Sequence, residues 1–169
     1  MNLESAIREE HSKAQCSKIV DFIGDEPERF AELMKLFFSG EYRLAQRAAW
    51  PMSYCVRNHP SLVKPYFKKL LDRLMMANAH PAVKRNIVRL LQYVEIPKRY
   101  QGKLMSICFG FIASPEEAVA VKAFSLTILE NLIVQYPAIL PEIKIVIESR
   151  WEYETPAFRS RAKRILKRK

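Results

Sequence analysis

Apolar residues recur along the chain at helical intervals. Leu33, Met34, Phe37 and Phe38 follow this spacing, and Phe158, Ala162, Ile165 and Leu166 stand at i, i+4, i+7 and i+8. No stretch alternates apolar and polar residues, and no Asn-Gly or Asp-Gly pair marks a hairpin. Pro or Gly interrupts the pattern near 24–27, 40, 60, 81, 97, 115, 137 and 156. The pattern therefore predicts an all-α chain of about nine helices with no sheet.

Several helix starts are written in side-chain chemistry. Ser114-Pro115-Glu116-Glu117 reads as a capping box: a serine cap, proline at the first helical position and a glutamate at the third. Thr155-Pro156 repeats the cap and the proline. Asp25-Glu26-Pro27 predicts another start, and Gly40 reads as that helix's stop. Pro65 and Pro141 are expected in first turns, where a missing N–H costs no hydrogen bond.

The segments Tyr42–Tyr54, Pro81–Tyr93, Ala118–Glu130 and Pro156–Leu166 align with one another at a period of about 38 residues. A basic residue recurs at one place in each: Arg47, Arg85, Lys122 and Arg161. Two of the connecting turns are alike, His59-Pro60-Ser61-Leu62-Val63-Lys64-Pro65 and Tyr136-Pro137-Ala138-Ile139-Leu140-Pro141. The repeat divides residues 1–169 into pairs near 5–39, 41–79, 80–114 and 115–153, all in one domain, with a closing helix near 156–168. In the first pair the helices are expected near 5–23 and 27–39.

Paired helices of this length, joined by a Pro-x-Leu type of turn and with Pro51 inside a first helix, resemble HEAT repeats of the armadillo superfamily. That resemblance implies a right-handed α-α superhelix, a solenoid whose second helices line a concave groove, and a role in binding rather than catalysis. One family of HEAT-like proteins, the DNA alkylation-repair glycosylases, binds damaged DNA in such a groove. The best aromatic and carboxylate neighbours for that activity are Trp151 and Tyr153 beside Glu152 or Glu154. They do not match the repair family's positions residue by residue.

Charge sharpens the picture. Lys and Arg number 28 against 18 Asp and Glu, for a net +10. Residues 1–41 hold 5 basic and 9 acidic side chains, 42–103 hold 13 and 2, 104–154 hold 3 and 7, and 155–169 hold 7 and none. Lys64 and Lys68 share a helical side, as do Lys69 and Arg73, and Arg99 and Lys103. With Tyr66, Tyr100 and Gln101 nearby, they form the candidate site for an anionic partner, whether acidic protein or nucleic acid. First helices carry a second set, Arg43, Arg47, Lys84, Arg85 and Arg89, and the period-38 series should form a ladder along one side. Its other readings are a solvated convex face and arginine stems packed between repeats. Arg159, Arg161, Arg164, Lys167 and Arg168 form a secondary basic surface on a closing helix whose apolar stripe reads as a cap.

Other chemistry is thin. Cys16, Cys55 and Cys108 are odd in number and widely spaced, which fits free thiols in a reducing cytoplasm and no disulfide framework. Cys55 and His59, four apart, are the one pairing that could make a thiolate–imidazole dyad; the alternative is a buried thiol beside a turn histidine. Cys16, Cys108 and Trp50 read as core or inter-repeat packing, and Met75 and Met76 as the end of an apolar face. No phosphate-binding glycine loop, nucleophile elbow or metal spacing occurs, so no cofactor, metal or small-molecule substrate is expected. The most apolar stretch, 118–134, is broken by Lys122, Glu130 and Asn131, so no membrane span is expected. The polar start MNLESAIREEHS does not read as a secretory signal.

Overall fold

A computed structural model describes residues 1–169 and holds ten α-helices, three short 3-10 segments and no strand. The helices are α1 (Leu3–Glu9), α2 (Lys13–Ile23), α3 (Pro27–Phe37), α4 (Tyr42–Asn58), α5 (Phe67–Met75), α6 (Pro81–Leu91), α7 (Lys98–Ala113), α8 (Val119–Ile133), α9 (Leu140–Arg150) and α10 (Pro156–Leu166). They fall into two compact units, residues 1–69 with 93–95, and residues 70–92 with 96–169.

In the first unit α4 packs against α1, α2 and α3. Leu3, Ile7, Ile19, Ile23, Phe30, Leu33, Met34, Phe37, Met52 and Val56 close its core. The helix expected over 5–23 is two helices. The chain leaves α1 at the extended residue Glu10 and restarts at Ser12, whose hydroxyl accepts from the Gln15 N–H. Gln15 then turns its buried amide back to donate to the Ala6 carbonyl at 2.8 Å, which ties the two short helices together. Arg47 completes the corner: its guanidinium donates to the carbonyls of Ile7 and Arg8 at 3.3 and 2.6 Å, taking two acceptors from the open end of α1. Gly24 ends α2 at φ +53°, a left-handed setting that a side chain resists. Pro51 sits inside α4 and supplies no N–H to its preceding turn.

In the second unit α8 is the hub, packed against α6, α7 and α10. It is buried along most of its length, as its apolar sequence requires. Its start differs from the expected capping box. The helix begins at Val119, with Ala118 as its cap. Ser114 instead closes α7 and accepts from the Glu116 N–H, while the Glu117 carboxylate accepts from the Lys84 ammonium at 3.0 Å and from the Ala118 N–H. A half-buried ion pair outcompetes the local cap for that glutamate. Helix α10 starts as expected, with the Thr155 hydroxyl accepting from the Phe158 N–H at 3.5 Å. Phe158, Ala162 and Ile165 are fully buried against the unit. Pro141 lies in the first turn of α9. Pro65 lies in a 3-10 segment, Pro60–Tyr66, that runs into α5.

The recurring basic position does not make one solvent-facing ladder. Arg47 caps α1, Arg85 is exposed, and Arg161 lies over the Phe124 ring at 5.3 Å. Lys122 is buried and donates to Glu154 at 2.6 Å. A different periodicity is electrostatic. Glu41, Glu117 and Glu154 stand at the starts of α4, α8 and α10, and each pairs with a base 32 or 33 residues earlier, respectively Arg8, Lys84 and Lys122. A carboxylate there also faces the positive end of its helix dipole.

Candidate partner-binding surface

Of the thirteen basic residues between 42 and 103, Arg43, Arg57, Lys64, Lys68, Lys69, Arg85, Lys98, Arg99 and Lys103 are exposed. Helix geometry puts them there. The core takes Phe67, Leu70, Leu71 and Leu74 of α5, and Leu104, Cys108 and Ile112 of α7, which leaves the intervening cations facing water.

In the first unit Lys64 sits in the 3-10 segment and Lys68 in the first turn of α5, both exposed. Tyr66, placed by sequence beside them as a stacking platform, is half-buried and packs edge-on against Phe30, with ring centroids 5.8 Å apart. That burial raises its phenol above the ordinary value. Lys69 lies over the Phe38 ring at 4.4 Å.

In the second unit Arg99, Tyr100 and Lys103 share the first turns of α7, and Arg73 is half-buried on α5. The Arg99 guanidinium covers the Tyr100 ring at 4.8 Å. Lys103 donates to Asp72 at 2.7 Å, and both side chains are partly exposed. Such a partly exposed pair contributes about 1 kcal/mol or less. Gln101 does not belong to this surface. It is buried, donating to the Ile96 carbonyl and to Gln135, and accepting from the Tyr136 hydroxyl at 2.6 Å.

The secondary basic surface on α10 is largely committed within the fold. Arg164 and Arg168 both reach Glu130, at 2.8 and 3.2 Å. Arg159 donates to the Trp151 and Glu152 carbonyls and lies over the Trp151 ring. Arg164 and Arg168 remain exposed despite these contacts, as do Lys163 and Lys167.

A basic cavity that sequence reasoning did not assemble lies in the first unit. Arg8, Arg43, Leu44 and Arg47 enclose about 280 Å³ with Glu41. Arg8 grips Glu41 through two hydrogen bonds of 2.7 and 2.6 Å, and these hold the Glu41 carboxyl below its usual range. Arg8 lies 35 residues from Arg43, so no local spacing signals the cluster.

The candidate reactive groups resolve differently. Cys55 is fully buried and burial pushes its thiol up to about 12, which keeps it protonated. His59 meets Cys55 through the backbone, its N–H donating to the Cys55 carbonyl at 2.8 Å, and no hydrogen bond joins thiol to imidazole. The thiolate–imidazole reading therefore fails. Cys16 and Cys108 are buried as expected, with burial raising them to about 11 and about 12. Glu154 is no groove carboxylate. It is buried, bound by Lys122 and by two Arg150 nitrogens at 3.1 Å. Met75 and Met76, read as the end of an apolar face, are 61 % and 44 % exposed where α5 ends at Met75. No group of His, Cys, Asp and Glu side chains is arranged to hold a metal ion. No helix is long and apolar enough to cross a membrane.

Comparison with known proteins gives one result. The sequence pattern of the HEAT repeat domain matches residues 3–169. No curated protein and no solved structure matches the chain.

Proposed function

The chain belongs to the HEAT repeat domain family, and we propose that it is a non-catalytic scaffold that holds an acidic partner protein through the basic residues of 42–103. Families built on this repeat act mainly by presenting surface to other proteins. The observation that carries the reading is the imbalance of 13 basic to 2 acidic side chains over 42–103, with nine of the cations exposed. One of the two acids, Asp72, is already held by Lys103. A surface so loaded raises the local concentration of anions and speeds their encounter.

Lys64, Lys68, Arg73, Arg99 and Lys103 are the residues proposed to meet the partner, with Tyr66 and Tyr100 beside them. Lys163 and Lys167 add exposed positive charge in the second unit. The proposed setting is the cytoplasm, where three unpaired thiols are stable. Acidic protein is preferred to nucleic acid because the aromatic rings are engaged. Tyr66 is half-buried and packs edge-on with Phe30, and one face of Tyr100 lies under Arg99, which reduces the ring surface left for stacking a base.

The test compares labelled polyglutamate with single-stranded DNA of equal charge, for the native chain and for two double variants. Lys64→Glu with Lys68→Glu alters the first unit, and Arg99→Glu with Lys103→Glu the second. Each double variant reverses two charges and is expected to weaken polyglutamate binding by at least about tenfold without lowering Tm. Unchanged affinity in both variants would move the site elsewhere. Binding of DNA in clear preference to polyglutamate would replace the protein reading with the nucleic-acid one.

A further inference from the structure

The first unit carries a groove that the basic surface does not use. Helices α2 and α4 pack side by side. His11, just before α2, meets the Trp50 ring of α4 edge-on, with centroids 5.2 Å apart. From that end Lys13, Ser17 and Asp21 descend α2 at four-residue intervals, and Trp50, Tyr54 and Asn58 descend α4 at the same interval. All six line one cavity of about 200 Å³ over a floor of Cys16 and Val20. Each row spans roughly 12 Å of helix.

The walls differ in chemistry along that length. Lys13 stands by the first turn of α2, near Trp50. Asp21 lies in the last turn of α2, and Asn58 is the last residue of α4. The Asp21 end therefore combines a carboxylate, a carboxamide oxygen and the negative ends of two helix dipoles. Of these terminal acceptors, Arg29 takes only the Phe22 carbonyl. Lys13, Ser17, Asp21, Tyr54 and Asn58 donate or accept no side-chain hydrogen bond, and Asp21 has no ion-pair partner. Tyr54, at 37 % exposed, is a large aromatic left half in water beside the half-buried Trp50. One aromatic wall, Trp50 and Tyr54 of α4, leading to an unpaired carboxylate on α2 suits one kind of guest: an alkyl stem ending in a cation.

We propose that this groove receives a lysine or arginine side chain of a partner polypeptide, with its stem along Trp50 and Tyr54 and its cation at Asp21 and Asn58. The charge of residues 1–41, 5 basic against 9 acidic, favours approach of a basic segment. Lys13, a helix length away from Asp21, then meets a carboxylate or carbonyl of the same segment. The proposal is independent of the anionic site, since it concerns an oppositely charged ligand on other residues.

The chain has two tryptophans, so Trp151→Phe leaves Trp50 as its only indole. In that background Trp50 emission is followed during titration with a capped hexapeptide bearing one lysine, the same peptide with glutamate, and spermidine. The lysine peptide should shift the emission saturably and the glutamate peptide should not. Asp21→Asn should weaken the lysine peptide by about fivefold, and Tyr54→Ala should weaken it further, both with unchanged Tm. No response to the lysine peptide, or equal affinity in Asp21→Asn, would overturn the proposal. Spermidine binding as tightly as the peptide would overturn the polypeptide source. Should Trp151→Phe fold poorly, the same titration is read by the chemical shift of the Trp50 indole N–H in the native chain.

Discussion

At the scale of single residues, burial decides what each polar group can do. Glu154 shows the asymmetry most clearly. Its carboxylate faces both Lys122, itself buried, and Arg150. Glu154→Gln leaves the Lys122 ammonium buried without a counter-charge, and the expected loss is about 3 kcal/mol or more. Lys122→Met leaves Glu154 with Arg150 and supplies a stem of similar length, so it should cost clearly less. Urea unfolding of the two variants checks the order, and equal losses would contradict the pairing. The thiols give a pH prediction. The folded state holds Cys55 and Cys108 at about 12, above the ordinary thiol value of 9.0. Their contribution to stability is full below that ordinary value and is lost as pH rises from about 9 towards 12, because only the unfolded chain ionises there. Tm should fall over that window. At neutral pH a thiol reagent should label the three cysteines only as fast as the chain opens; immediate labelling of Cys55 would contradict its burial. Sequence alone carried the buried thiols, since a free cysteine behaves as a small hydrophobe and is among the residues most often buried. It could not reveal the Lys122–Glu154 pair, because a lysine on an apolar helix reads the same whether its ammonium snorkels outward or meets a carboxylate 32 residues away.

At the scale of elements, helix existence was legible and helix edges were not. Period, proline and glycine located the helices from α3 to α10, because those signals are local. The break between α1 and α2 was missed: residues 3–23 keep a helical apolar pattern through Ala6, Ile7, Cys16 and Ile19 on both sides of Ser12. What separates them is Ser12 acting as a cap and Arg47 closing α1 from a distant helix. The start of α8 was misplaced for a similar reason, since Glu117 serves Lys84 from α6 rather than Ser114 beside it. The closing helix should be essential to the second unit. Phe158 is fully buried and α10 packs on α8 and α9. Phe158→Asp removes the largest apolar anchor of α10 and buries a charge, so about 4 kcal/mol or more should be lost. An unchanged melting temperature would sink the capping role of α10.

At the scale of the whole molecule, the repeat and the uneven charge were legible because neither depends on knowing which side chains meet. Which cations are engaged was not legible: Arg164 and Arg168 are committed to Glu130, and Arg8 to Glu41. The Trp50–Tyr54 groove also escaped, since a tryptophan on a first helix reads as packing until a neighbouring helix leaves space beside it. What remains is a chain whose exposed cations between 42 and 103 far outnumber its acids there. The most direct test is fluorescence anisotropy of labelled polyglutamate titrated with the native chain from about 50 to 200 mM salt. Binding should be micromolar or tighter at low salt, with log affinity falling linearly in log salt by a slope of several ions. No binding at the lowest salt, or binding indifferent to salt, would contradict the proposed function.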